Sequence, residues 1–244
     1  MRALKRSPVL WLALGLWLTY LWTSSGGLET SDAVLRYLTA RSWIEGHGGV
    51  LAAELGWNGG AVLPDGRVYA FFGPLQSVLM VPFLLAARAL PAPGMDTGVV
   101  ETFAICLGLF PLLSAGVIAL LYRSLGHLGV APRVRLLTCL GIGLGSLFWH
   151  YARMGQEESL VAFGFALWLL GATRLIAGLR SPALLMAAGA AIPLATRWAA
   201  APQLAVLCAA TLVLLWRHRR QVSFRDVAAG AALVAGVASL VLLY

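Results

Sequence analysis

Long apolar stretches alternate with short polar connections along most of the chain. Eight apolar stretches can be recognised, at 8–24, 74–90, 98–122, 134–151, 159–178, 182–196, 198–216 and 227–244. A helix that crosses a bilayer needs about 20 mainly apolar residues, and most of these stretches approach that length. The pattern predicts an all-α polytopic membrane protein with a single transmembrane domain over residues 1–244.

The stretch at 74–90 differs from the others, because proline bounds it at Pro74 and Pro91 and interrupts it at Pro82. It also carries Arg88, and a charged side chain is costly in the middle of a bilayer. We therefore interpret this stretch as an interfacial or re-entrant helix, which leaves seven transmembrane spans.

The distribution of basic residues tests this interpretation, because cytoplasmic loops carry an excess of Lys and Arg. With seven spans and a cytoplasmic N-terminus, twelve of the 18 basic residues face the cytoplasm. Nine of those twelve would move outside if 74–90 crossed the membrane. Six basic residues stay outside: Arg36, Arg41, Arg67, Arg88, Arg153 and Arg197. The prediction is a multi-pass protein of the plasma (inner) membrane with a long first outer loop at about 25–97, although the stretch at 182–196 is short for a span.

Composition excludes several classes of protein. The chain is 60% hydrophobic and 11% charged, whereas a soluble domain has about 25% charged residues. The net charge of +8 does not indicate nucleic acid binding, because the basic residues lie in short loops between apolar stretches. The cysteines Cys106, Cys139 and Cys208 lie in apolar stretches and are expected to be small buried side chains.

The two ends of the chain suggest how it is processed. Arg2, Lys5 and Arg6 precede an apolar run that extends to Trp22. This run is either a cleaved signal peptide or an uncleaved anchor, and its length favours the anchor. The chain ends at Tyr244 in an apolar helix without a polar tail, so we expect a truncated part of a longer protein.

The first outer loop opens with a predicted interfacial helix at 30–45, which Thr30 or Ser31 can cap. Its apolar side carries Val34, Leu35, Leu38, Trp43 and Ile44, and its polar side carries Asp32, Arg36, Arg41 and Glu45. Further on, a turn at Pro64-Asp65-Gly66 precedes a weakly alternating segment at 67–72, which predicts a small hairpin. In the later helices, Gly141, Gly143 and Gly145 indicate close helix packing rather than a phosphate loop.

Acidic residues in the outer regions are the first candidates for chemistry. Asp32 opens the interfacial helix, where it is either a favourable first-turn charge or a general base that takes a proton from a hydroxyl group. Glu157 and Glu158 lie in a tight outer turn, where they either cap the next helix or serve a reaction. Adjacent helical residues point about 100° apart, so we expect at most one of the two to face the bundle interior.

The outer arginines are the second group of candidates. Arg197 lies between two apolar helices, where its side chain either reaches to the interface or binds an anionic headgroup. The six outer basic residues run against the topological bias and suggest a negatively charged ligand. A lipid-linked phosphate fits, because its tail can lie in the bilayer while its headgroup reaches these arginines.

Taken in order, these features resemble the GT-C superfamily of membrane glycosyltransferases, in particular the branch with the protein O-mannosyltransferases and the lipid A aminoarabinose transferase. The matching pieces, which span essentially the whole chain, are a basic N-terminus with one span, the acidic helix SDAVLRYLTAR at 31–41, the stretch DGRVYAFFGP at 65–74, Tyr151-Ala152-Arg153 followed by Glu158, and a small-residue helix that ends in Thr196-Arg197.

The resemblance implies transfer of a sugar from a polyprenyl-phosphate carrier to a glycan, lipid or protein acceptor at the extracytoplasmic face. It implies Asp32 and Glu158 as the catalytic acids. It implies that luminal arginines hold the carrier phosphate, with Arg197 as the best match, Arg67 as a looser one, and Arg153 and Arg36 as further donor-binding residues. The family module has seven spans, in agreement with the charge distribution.

The chain departs from the family pattern at two positions. Many members have Asp-Glu where this chain has Asp32-Ala33, and the aminoarabinose branch has Lys where this chain has Gly73. We assign no metal ligands and no required cofactor, and a role for a divalent metal ion stays open. The expected partners are the lipid-linked donor, its acceptor and membrane lipids, with no nucleic acid.

Two alternatives belong to other functional classes. A transporter or flippase of lipid-linked sugars needs the arginines and an apolar groove but not the carboxylate. A structural subunit needs only an outer loop that binds a partner. The absence of an internal sequence repeat and the clustering of acids on one side favour the enzyme.

Overall fold

The computed structural model describes residues 8–52, 60–179, 182–219 and 222–243. The basic residues Arg2, Lys5 and Arg6 and the chain end at Tyr244 lie outside this part of the chain. The structure is 75% helical, which agrees with the predicted all-α class.

The described residues form ten α-helices and one short β-hairpin. The helices are α1 (Pro8–Thr23), α2 (Ser31–Ile44), α3 (Leu75–Ala89), α4 (Thr97–His127), α5 (Pro132–Gly145), α6 (Leu147–Tyr151), α7 (Glu158–Ile176), α8 (Pro182–Thr196), α9 (Ala201–Arg217) and α10 (Phe224–Leu243). The strands are β1 (Gly60–Val62) and β2 (Val68–Ala70), and a 3₁₀ turn at Trp198–Ala200 leads into α9.

Three of the described helices are long and apolar enough to cross a membrane, namely α4, α7 and the Phe224–Val241 part of α10. The apolar helices α1, α3, α8 and α9 are shorter. The length and apolar composition of α4, α7 and α10 identify a membrane protein. The number of spans, the membrane and the orientation stay predictions.

The predicted stretch at 134–151 is two helices rather than one. Ser146 has an extended backbone (φ −129°, ψ 175°) between α5 and α6. Its Oγ accepts a hydrogen bond from the Phe148 N–H at 3.1 Å, so this side chain caps the start of α6. A serine in the middle of an apolar stretch therefore marks the break.

Small residues allow close packing between α7 and α8. A Cβ atom at Gly189 would collide with the backbone of Trp168, and one at Gly164 would collide with Pro193. Of the three glycines predicted to pack closely in α5, only Gly143 does so. Its carbonyl accepts a hydrogen bond from Tyr20 Oη at 2.9 Å, whereas Gly141 has open space where a side chain would lie.

The first loop contains the two predicted elements. Thr30 caps α2 by accepting a hydrogen bond from the Ala33 N–H at 3.3 Å, as predicted. The predicted hairpin also forms, since β1 and β2 pair antiparallel with Val62 opposite Val68. Gly66 has a φ of +80° in the turn, which glycine adopts without strain.

One prediction for α2 is wrong. The sequence pattern places Arg36 on the polar side of this helix, but this residue is only 1% exposed. Its surroundings come from distant parts of the chain, including the Phe72 ring, whose centroid lies 4.1 Å from the guanidinium carbon. Helical periodicity locates a residue on a helix, but it does not show which other elements cover that position.

A network of charged side chains fixes α2 against α3 and α4. Tyr37 Oη donates to Glu101 Oε2 at 2.7 Å, and Arg88 Nε donates to Glu101 Oε1 at 2.5 Å. Arg88 and Arg41 both donate to Glu45 Oε1, at 3.0 and 2.7 Å. Burial and the hydrogen bond to Glu101 raise the pKa of Tyr37 to about 12, so its hydroxyl stays a donor at neutral pH.

Candidate functional site

Three segments that are distant in sequence meet at one end of the helices: the first turns of α2, the start of α7 and the junction between α8 and α9. Arg36 Nη2 forms an ion pair with Glu157 Oε2, and both side chains are buried. Arg197 Nη1 lies 3.0 Å from Glu157 Oε1 and 3.6 Å from Glu158 Oε1. Glu157 therefore bridges Arg36 on α2 and Arg197 in the junction between α8 and α9.

Local structure explains why these segments meet. Gln76 Nε2 donates to the Gly155 carbonyl oxygen at 3.0 Å, which ties the loop before α7 to α3. Gly155 has a φ of +74°, so a residue with a side chain would be strained in this turn. Gly73 lies directly against the backbone of Ala195 and Thr196, where a Cβ atom would have no room. The first loop is therefore packed onto the end of α8.

The contact at Gly73 leaves no room for a larger residue. A lysine at this position would have to displace the end of α8, because the obstructing atoms belong to the backbone.

A small polar pocket of about 230 Å³ opens at this end of the helices. Its lining comes from residues at the start of α2 and just before and within the first turn of α7: Thr30, Ser31, Asp32, Arg36, Gln156, Glu157 and Glu158. Asp32 is exposed, and no ion pair involves it within the described residues. Its Oδ1 accepts a 3.4 Å hydrogen bond from Ser31 Oγ. Asp32 is therefore an accessible carboxylate beside a buried ion pair.

The two adjacent glutamates have different environments, which agrees with the prediction that at most one faces the interior. The side chain of Glu157 is 9% exposed, and that of Glu158 is 37% exposed. Glu158 Oε2 is buried and has no hydrogen-bond partner among the described residues, so this oxygen does not face the solvent. Sequence reasoning selected Glu158 and missed the bridging role of Glu157.

The electrostatic state of Arg36 follows from its burial. Burial lowers the pKa of Arg36 to about 10, while the negative charges of Asp32 and Glu158 oppose this shift. The guanidinium therefore stays charged at neutral pH, paired with Glu157 and stacked on Phe72. Because it is fully buried, it is placed to hold Glu157 rather than to reach a ligand.

The other two predicted donor-binding arginines do not line this pocket. Arg67 pairs with Asp65 at 2.6 Å in the hairpin turn, where its side chain is 57% exposed. Arg153 Nη1 donates to the Thr23 carbonyl oxygen at 2.8 Å, and its guanidinium lies over the Trp149 ring. The structure therefore brings together Asp32, Glu158, Arg36 and Arg197 and leaves Arg67 and Arg153 in their own segments.

The described residues contain no group of three or more His, Cys, Asp or Glu side chains that could hold a metal ion. The carboxylates of Glu157 and Glu158 are both within 4 Å of Arg197, so a guanidinium already occupies the space between them and the end of α8.

Comparisons with known proteins find no match to the chain: no family model, no curated protein and no solved structure matches it.

Proposed function

We propose that this chain is the membrane module of a glycosyltransferase that moves a sugar from a polyprenyl-phosphate carrier to an acceptor outside the cytoplasm. One observation carries the proposal: the exposed carboxylate of Asp32 shares a pocket with Glu157 and Glu158, and both glutamates pair with Arg197. Asp32 can accept a proton and Arg197 can bind a phosphate, and both lie beside Glu157 and Glu158.

The proposed reaction assigns a separate role to each side of the pocket. Asp32 takes the proton from an acceptor hydroxyl, and the hydroxyl oxygen forms a bond to the anomeric carbon of the sugar. The bond between the anomeric carbon and the phosphate oxygen breaks, and polyprenyl phosphate leaves with the electron pair. Arg197, whose side chain is 40% exposed, stabilises the charge that develops on this phosphate.

Arg36 and Glu157 act as positioning residues in this scheme. Arg36 holds one oxygen of Glu157, and the other oxygen lies 3.0 Å from Arg197. This chain of ion pairs fixes the direction of the Arg197 guanidinium relative to Asp32. Glu158 lines the pocket with a side chain that is 37% exposed, and we assign it the role of orienting the sugar or the acceptor.

The proposal includes the finer topology, with seven spans, a cytoplasmic N-terminus and the Asp32 pocket on the extracytoplasmic side. The direction of α7 supports it, because this helix begins at Glu158 beside the pocket and carries Arg174 in its last turn. Basic residues at the end away from the pocket are what the positive-inside rule requires of a cytoplasmic end.

The test is the replacement Asp32→Asn, measured as transfer of radiolabelled sugar from polyprenyl-phosphate donors in membranes that contain the full chain. Loss of a general base lowers a rate by about 10²–10⁴-fold. We expect a loss in this range with unchanged membrane insertion, because Asp32 is exposed and makes no ion pair within the described part of the chain.

Asp96→Asn is the matched control. Asp96 Oδ1 caps α4 by accepting from the Gly98 N–H at 2.8 Å, and asparagine caps a helix equally well. Full transfer by Asp32→Asn would refute the proposed mechanism. A different outcome would identify a flippase instead: neither the unchanged protein nor Asp32→Asn transfers sugar, and both still move lipid-linked sugar across the membrane.

A further inference from the structure

A second polar cavity lies between helices at the end of the molecule away from Asp32. Its volume is about 510 Å³, and the ends of α1, α4, α5 and α7 surround it. Three arginines and one histidine line it, namely Arg123, His127, Arg135 and Arg174, and none of the described residues in its lining is acidic. We call this space the basic cavity.

The basic cavity and the Asp32 pocket lie at opposite ends of the same helix. Glu158 is the first residue of α7 and Arg174 lies in its last turn. Sixteen residues of α-helix extend about 24 Å, which is comparable with the hydrocarbon thickness of a bilayer of about 30 Å. In a membrane, the two sites therefore lie near opposite surfaces.

Favourable interactions with the helix dipoles explain only part of this cluster of basic residues. Arg174 lies in the last turn of its helix, where the helix dipole favours a cation. Arg135 lies in the first turns of α5, where the dipole favours an anion instead. Its position is therefore unfavourable for the helix alone, and a negatively charged ligand would compensate for it.

The side chain of Arg135 is held in place from two sides. Its guanidinium carbon lies 4.8 Å from the centroid of the Tyr122 ring, and a Cβ atom at Gly126 would collide with its Nη1. Its Nε is buried and has no hydrogen-bond partner. The guanidinium is thus fixed at the wall of the basic cavity by stacking and packing, and it forms no ion pair with an acidic residue in the part of the chain that the structure describes.

We propose that the basic cavity binds the phosphodiester headgroup of an anionic membrane lipid. One guanidinium group can donate two hydrogen bonds to the oxygens of one phosphate. Basic pockets between transmembrane helices bind the headgroups of anionic lipids in other membrane proteins. The apolar residues Val9 and Leu170 also line the cavity, and they give the glycerol and the first part of the acyl chains an apolar surface. The proposal does not depend on the sugar-transfer reaction.

The test is native mass spectrometry of the full chain in an uncharged detergent, with increasing amounts of phosphatidylglycerol. We expect saturable binding that weakens roughly 25-fold in the double variant Arg123→Gln/Arg135→Gln, since each basic residue contributes about a factor of five. If the double variant does not accumulate, the single variant Arg123→Gln replaces it in the test. Arg123 is exposed, so this change keeps the fold, and it should weaken binding roughly fivefold.

Arg133→Gln is the matched control, because Arg133 lies on the same helix as Arg135, is exposed and does not line the cavity. It should bind phosphatidylglycerol as the unchanged protein does. An equal loss in Arg133→Gln, or equal binding of phosphatidylcholine, would overturn the proposal. Equal affinity for soluble glycerol 3-phosphate would assign the cavity to a free phosphate compound and would also overturn the lipid assignment.

Discussion

At the scale of single residues, the decisive feature is the buried ion pair between Arg36 and Glu157, which no sequence motif predicts. Arg36 is 1% exposed and Glu157 is 7% exposed, and each carries a charge that is costly to remove from water. Each is therefore dependent on its partner. Replacing one partner leaves the other charge buried without compensation, whereas replacing both with apolar residues removes the problem.

We expect Glu157→Gln to lower the free energy of unfolding by about 3 kcal/mol, because it leaves the buried Arg36 without its counter-charge. The measurement is unfolding by a denaturing detergent in mixed micelles, followed by circular dichroism. Glu158→Gln, one residue further on, should cost less than about 1 kcal/mol, because the side chain of Glu158 is 37% exposed.

The double variant Arg36→Met/Glu157→Leu distinguishes a buried charge from a packing defect. It should recover most of the lost stability, because Arg197 is 40% exposed and stays solvated without Glu157. If Glu157→Gln is as stable as the unchanged protein, the ion pair has no structural role and our account of the site is wrong.

At the scale of elements, the contact between α7 and α8 holds the site together. Glu157 precedes α7, and Arg197 follows α8, so the distance between these helices sets the distance between the two side chains. The glycines Gly164, Gly171 and Gly189 allow the helix backbones to approach closely. A larger residue in this interface separates the helices and with them the site.

Gly189→Ala tests this contact. The added methyl group would collide with backbone atoms of Trp168, and overpacking of this kind costs about 1–3 kcal/mol. We therefore expect a lower midpoint of unfolding in the same mixed-micelle experiment.

Gly141→Ala makes the same chemical change in α5, where the added methyl group meets no atom within 4 Å. Because alanine favours a helix over glycine by up to about 1 kcal/mol, this control should be neutral or stabilising. Equal effects of the two variants would show that the close packing of α7 and α8 does not contribute to stability.

At the scale of the whole molecule, charge divides the two ends of the bundle. The carboxylates of Asp32, Glu157 and Glu158 lie at one end, and the basic cavity lies at the other. Our proposed topology places the basic end in the cytoplasm, in accordance with the positive-inside rule. The proposed transferase therefore faces away from the cytoplasm, and the proposed lipid site faces the leaflet that carries more anionic lipid.

Cysteine labelling tests this orientation in intact cells. Ser31→Cys and Ala201→Cys are exposed positions beside the Asp32 pocket and at the start of α9. Both should react with a membrane-impermeant maleimide added from outside. Arg133→Cys, near the basic cavity, should react only after the membrane is opened.

The background for this experiment is Cys208→Ser, because Cys208 is exposed while Cys106 and Cys139 are buried. Labelling of Ser31→Cys and Arg133→Cys from the same side would contradict the proposed topology. Labelling of Ser31→Cys and Ala201→Cys from opposite sides would separate Asp32 from Arg197 and leave the sugar-transfer proposal without a site.

Sequence patterns predicted the elements well where local chemistry specifies them. Thr30 caps α2 because its hydroxyl can accept from the Ala33 N–H, and Gly66 turns the hairpin because it tolerates a positive φ. The break at Ser146 was missed, since hydropathy averages over a window and a single capping serine barely changes that average. The count of seven spans stays a prediction, because several apolar helices are shorter than a usual span.

The amino-acid sequence by itself determined a helical membrane protein, because apolar runs and basic loops need no tertiary contacts to be recognised. It also selected Asp32, Glu158 and Arg197, which the fold places around one pocket and its adjoining ion pairs. Only the tertiary structure decided that Arg36 is buried, that Glu157 joins it to Arg197, and that Arg67 and Arg153 serve other segments. The physical reason is that a charge acts over a few ångströms, and which charges come so close depends on how distant helices pack.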